Sequence, residues 1–247
     1  MRNVVLLAAA LLAGVVMAKE NVLVVCAHPD DTISIAGTVY LMRDRFNVVV
    51  ADLTAGQRGL GEEGFKDGST ERKRRVEEEN GMKVLGSTVR WMGFEDGALY
   101  ATHETCQAVA DLIAELKPRA VFAMWPIDRH QDHSMAGTIA LKAAWLAKYR
   151  GEFYYYSEAY GSKGFAPSIF VDITKVIDKK QEYARCHVCQ NKDDGMNKID
   201  VASAKDWGWK CFYFTKTGRR FAEVFAPLSG FHIQGDKTIF SELPQPE

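Results

Sequence analysis

The sequence predicts a doubly wound α/β fold, three layers deep (α/β/α) around a mostly parallel sheet, on three observations. Short apolar runs recur along the chain, the first of them nearly unbroken and β-branched, as in strands covered on both faces. Helical segments separate them at the spacing of β-α-β units. The segments richest in His and Asp follow two of those runs, beyond the carboxyl ends of strands, where ligands bind in such sheets.

A chain of 247 residues, 47% apolar and 11% aromatic, can bury one sizeable core, and residues 19–247 are read as a single domain. Ahead of it, Arg2 precedes an apolar run over 4–16 that closes on Val16-Met17-Ala18 before Lys19. That is the layout of an export signal cleaved after Ala18, and the run is shorter than the about 20 residues of a spanning helix. A secreted or periplasmic protein with no stable membrane span is expected, a retained anchor being the alternative.

The first strand is NVLVVC at 21–26, ending in the loop AHPDDT. A helix over 34–45 and a second buried strand, FNVVVADLT at 46–54, complete a β-α-β unit. Residues 55–69 are Gly-rich without periodicity and read as a long surface loop or lid. A charged helix over 70–85, a strand over 88–92, a helix over 103–116 stopped by Pro118, and an apolar strand over 120–125 follow. Strands at 153–157 and 169–173 and a polar helix over 175–191 come next, and the Pro- and polar-rich stretch 227–247 is expected to fray.

With the signal removed the net charge is near −2, which offers nothing to a nucleic acid. The basic run 72–75, followed at once by Glu77-Glu78-Glu79, reads mainly as a solvated helix face laced with opposite charges. Five cysteines leave at least one thiol free, and Cys186-x-x-Cys189 lacks the partners that would complete a zinc knuckle. The chemistry lies elsewhere. His28 and Asp31 can turn toward one point from the AHPDDT loop, and Asp128-x-His130-x-Asp132-His133 offers a second set after the strand at 120–125. Two or more His, several Asp and no nearby Cys suit a catalytic zinc with one open position for water.

These motifs resemble the PIG-L/LmbE family of zinc-dependent de-N-acetylases over most of the chain from Val22 to about Gln190. The resemblance implies an LmbE-like, Rossmann-like sheet and one Zn2+ per chain held by His28, Asp31 and His133. It also implies Asp30 as general base, His130 facing the reacting carbonyl, and Asp132 orienting His130. LTAGQRG at 53–59, Arg74-x-x-Glu77, GFEDGAL at 93–99 and ARCHVCQ at 184–190 are similar to further family segments. By them Arg74 and Asp96 would contact sugar hydroxyls, with the solvated face as the rival reading of Arg74, and His187 would lie near the site. Thr32, Gln57 and Cys189 depart from the family's Glu, Glu and Ser, and the first two stand where the family lines its entrance.

The activity implied is removal of an N-acetyl or other acyl group from an N-acetylglucosamine-type sugar or glycoconjugate. Asp30 or His130 would protonate the leaving amine. A zinc amidase acting on a non-sugar amide and a catalytically silent carbohydrate-binding protein are the alternatives. A dinucleotide-binding enzyme is disfavoured, because AHPDDT occupies the place of the Gly-rich turn.

Overall fold

The computed structural model describes residues 18–159, 161–212, 221–231 and 237–244. The expected signal at 1–18 lies outside the described residues except for Ala18. β1 (Glu20–Cys26) leads through a 3-10 turn (Asp31–Ile35) to α1 (Ala36–Met42), and β2 (Phe46–Thr54) leads to α2 (Glu62–Lys66) and α3 (Ser69–Leu85). β3 (Thr88–Phe94) precedes α4 (His103–Leu116), and β4 (Ala120–Met124) precedes α5 (Gln131–Leu146). β5 (Glu152–Tyr156), β6 (Ile169–Asp172), α6 (Ile177–Cys186), α7 (Gly195–Phe212) and β7 (Ala222–Pro227) follow.

Among the described residues the strands form one seven-stranded sheet in the order β3-β2-β1-β4-β5-β7-β6. Pairings from β3 through β5 are parallel, and β7 runs antiparallel between β5 and β6. α4 and α5 pack on each other and on β1, while α1, α3 and α6 form the second helical layer. Covered on both faces, β1 buries Val22, Leu23, Val24 and Val25 completely, each side chain contributing about 1.5–3 kcal/mol. Because β2 lies on one side of β1 and β4 on the other, the chain order reverses there. The loops after β1 and β4 therefore face each other across the switch-point crevice.

Four local expectations are corrected. The helix expected over 34–45 is instead a 3-10 turn and then α1, because Asp30 takes a left-handed φ of 93° and delays the helical register. The loop at 55–69 contains the short α2. α6 stops at Cys186, where His187 leaves helical geometry at ψ 60°. The described part of the carboxyl-terminal stretch packs instead of fraying: Ile239 and Leu243 are buried, and Phe240 sits on Phe122 and Tyr154.

Arg119, just before β4, gathers the amino-terminal edge of the sheet. Its Nε donates to Glu152 at 2.9 Å, its Nη1 pairs with Glu20 at 3.2 Å and Glu242 at 3.3 Å, and its Nη2 donates to the Lys237 carbonyl.

Candidate active site

The loop after β1 is folded back on itself by Asp31, whose Oδ2 accepts from the Ala27 and His28 amides at 3.1 and 2.8 Å. That turn brings the His28 ring beside its own loop's carboxylate. Across the crevice, α5 begins at His130, whose Nδ1 accepts the Asp132 amide as an N-cap, so His133 stands in the first turn. The rings of His28, His130 and His133 lie 4.6 to 5.3 Å apart, centroid to centroid.

Asp31 sits between two of these rings, with Oδ2 3.5 Å from His28 Nδ1 and Oδ1 3.3 Å from His133 Nε2. The far nitrogen of each ring faces another carboxylate. His28 Nε2 lies 3.2 Å from both Asp132 and Asp96, and His133 Nδ1 lies 3.4 Å from Asp128, an ion-pair contact without hydrogen-bond alignment. Outer carboxylates that hold one ring nitrogen leave the inner nitrogen's lone pair for a cation, as at histidine metal sites. Among the described residues, three groups bring their donor atoms within 4.8 Å of one another: His28, His130 and His133; His28, Asp96 and Asp132; and Asp128, His133 and Glu158.

The electrostatics fit such a site. Burial would raise the Asp31 carboxyl, but His133 and His28 outweigh it and hold it well below the usual range. Burial likewise opposes the charge on both rings, yet Asp132, Asp31 and Asp96 push His28 well up, and Asp31 and Asp128 push His133 to about 10. A divalent cation would take over the role of those protons. His130 moves the other way, lowered by burial and by the two neighbouring rings. Burial raises Asp30 to about 6 against the pull of Arg74.

The crevice opens into a cleft of about 490 Å³ lined by Asp30, Asp31, His133, Arg129, Glu158 and Gln190, among others. The structure thus brings together His28, Asp30, Asp31, His130 and His133. Asp132 is placed otherwise than expected: its carboxylate meets His28 and accepts from the Gly97 and Leu99 amides, and only its backbone amide meets His130. Asp96 faces His28 and the Arg58 amide. Arg74 is not on a solvated face; it is 5% exposed and bonded to Asp30 Oδ1, the Pro29 carbonyl and the Gly56 carbonyl. His187 is buried behind the site, edge-on to Tyr183 and 3.3 Å from Glu78, with burial lowering it to about 3. None of these last four lines the cleft.

The departures from the family pattern have structural partners. Thr32 is fully buried, its hydroxyl 3.3 Å from Cys26 Sγ, so it faces the core and not an entrance. Gln57 donates to the Phe94 carbonyl and accepts from the Asp96 amide, a two-way bridge that an ionised glutamate cannot make. Sequence reasoning missed Glu158 and the residues before and within α7 that reach the cleft. The position of Glu158 beyond the end of β5 was the available signal.

Together these features define a class: a doubly wound α/β protein whose switch-point crevice holds imidazoles and carboxylates in an arrangement suited to a divalent cation. The model of the PIG-L family, described as GlcNAc-PI de-N-acetylase, matches residues 23–144 of the chain. It is 28% identical over 199 residues to a diacetylchitobiose deacetylase of Thermococcus kodakarensis, covering 71% of this chain and 72% of that one. Several solved structures share the fold, two of them as follows. GalB, the 4-carboxy-2-hydroxymuconate hydratase of Pseudomonas putida KT2440, superposes with a TM-score of 0.75 at 21% identity, over 85% of this chain and 96% of its own. The N,N'-diacetylchitobiose deacetylase of Pyrococcus horikoshii gives 0.71 at 24% identity, over 85% and 84%.

Proposed function

We propose that the protein is a zinc-dependent hydrolase that removes the N-acetyl group of an N-acetylglucosamine-type sugar or glycoconjugate. One observation carries the reading: Asp30 lines the same cleft as Asp31 and His133, with the His28 and His133 rings on either side of Asp31. The match to the PIG-L family model and the similarity to a deacetylase support the choice of substrate class.

An amide is a weak electrophile and water a weak nucleophile at neutral pH. An ion held by His28, Asp31 and His133 would supply Lewis-acid polarisation and bring the pKa of water down from about 15.7 toward about 7. Asp30, ionised at neutral pH with its carboxyl near 6, takes the proton of the attacking water. His130, exposed beside His28 and His133, faces the oxyanion that develops on the acyl carbonyl. Either of these two side chains returns a proton to the departing amine. Asp132 and Asp128 keep the His28 and His133 rings oriented.

A panel of N-acetylated sugars and chitooligosaccharides, assayed for acetate and free amine, tests the proposal. Acetate release that a chelator abolishes and zinc restores is expected. Turnover of non-sugar amides alone, or activity indifferent to the chelator, would replace the reading. Export of the mature chain is part of the same proposal and rests on the sequence of residues 1–18. Among the described residues no helix is long and apolar enough to cross a membrane.

A further inference from the structure

The Pro29–Asp30 peptide is held at both ends by one helix. Its carbonyl accepts from Arg74 Nη2, and its amide donates to Glu78 Oε2 at 3.2 Å. Arg74 and Glu78 are four residues apart on α3 and so lie one above the other on the same face. The same Arg74 nitrogen also bonds Asp30 Oδ1 at 2.9 Å. Asp30 meanwhile holds a φ of 93°, a left-handed conformation that non-glycine residues keep only when their surroundings enforce it, at about 1–3 kcal/mol.

Glu78 is itself anchored from behind. It is fully buried, and the Tyr183 hydroxyl on α6 donates to it at 3.0 Å, with His187 Nε2 3.3 Å away. Tyr183 can come this close because position 81, one turn along α3, is glycine; a Cβ there would stand 2.7 Å from the Tyr183 ring.

We propose that Glu78 is a positioning residue for the general base: with Arg74 it clamps the Pro29–Asp30 peptide and aims the Asp30 carboxylate into the cleft. This rests on the deacetylase reading above. Glu78 touches neither substrate nor ion in this role. Its removal should slow the chemical step while leaving substrate binding and metal loading intact.

The test compares Glu78→Ala, Glu78→Gln and Tyr183→Phe in the zinc-loaded protein. It reads kcat and KM on N,N'-diacetylchitobiose, zinc content, and amide hydrogen exchange across 28–32. Since an ångström of misplacement at a reacting group costs up to about 100-fold, Glu78→Ala should lose about 10- to 100-fold in kcat with KM held within about twofold. Zinc content should stay unchanged and exchange across 28–32 should accelerate. Glu78→Gln keeps an oxygen for the Asp30 amide and should stay within about fivefold of the parent, since a conservative acceptor preserves the bond. Tyr183→Phe should fall between them, and it carries the test if Glu78→Ala does not fold. Parental kcat and exchange in Glu78→Ala, or in Tyr183→Phe where the alanine variant fails to fold, overturn the clamp. A KM rise or zinc loss in place of a kcat loss overturns it too. A parent protein inactive on every amino sugar sinks the function instead, and the exchange data still decide the clamp.

Discussion

At the scale of single residues, the site assigns distinct failures to distinct side chains. Asp30→Asn removes a general base, for which about 10²- to 10⁴-fold in kcat is expected, with metal content measured by elemental analysis unchanged. His133→Ala should lose the metal as well, because the inner nitrogen facing Asp31 goes with the ring. Full metal occupancy in that variant would remove His133 from the ligand set. Gln57→Glu tests the loop that carries Asp96. A carboxylate can accept from the Asp96 amide but cannot donate to the Phe94 carbonyl, so a loss of about 1–3 kcal/mol should appear in denaturant melts. That His28, Asp30, Asp31, His130 and His133 gather in one place was legible because the loops carrying them follow strands that meet at the switch point of the sheet. Asp132 was misread because its neighbour in sequence, His130, is not the ring its carboxylate meets; that partner, His28, comes from 104 residues away.

At the scale of elements, α3 inverts the usual arrangement of an amphipathic helix. Val76 is 57% exposed while Arg74 and Glu78 face inward, so a charge run that reads as a solvated face hides two working residues on the opposite side. Hydrophobic periodicity does not mark the inward face where Thr70, Arg74 and Glu78 fill it, and only Met82 and Leu85 near the end of the helix are apolar there. β1, β2 and β4 were legible for the converse reason: they are short apolar runs, rich in β-branched residues in β1 and β2, and they are covered on both faces. β7 and α7 were not, because α7's apolar residues are scattered around its circumference. α1 depends on a similar buried charge. Glu223 on β7 accepts from the Gly37 and Thr38 amides, and Lys180 on α6 pairs with it at 2.9 Å. Glu223→Ala leaves the buried Lys180 ammonium with only the Ile33 carbonyl and Asp200 at 3.9 Å and should cost about 3–5 kcal/mol, whereas Lys180→Met with Glu223→Leu should recover much of that loss. Thermal melts of the parent and the two variants check the ordering, and a double variant no better than the single would discard the pair as the cause.

At the scale of the whole molecule, stability should vary with pH through Asp200. Burial raises its carboxyl from the usual 3.8 to about 7 against the pull of Lys180. The folded state therefore holds this proton more tightly than the unfolded chain does. Its contribution is complete below about 3.8 and is lost as the pH climbs through about 7. Asp200→Asn should melt above the parent at pH 8, and the gap should close as the pH falls toward 4. Equal melting temperatures at pH 8 would exclude Asp200 as the titrating group. The cluster around Arg119 has a different kind of consequence. Glu20, Lys237 and Glu242 are all gathered at the amino-terminal edge of the parallel strands, whereas the cleft opens at their carboxyl edge. Whatever is attached near residue 20 or 240, whether a resin, a lipid or a fused partner, would hold the molecule by its base and leave the mouth of the cleft pointing away from the attachment.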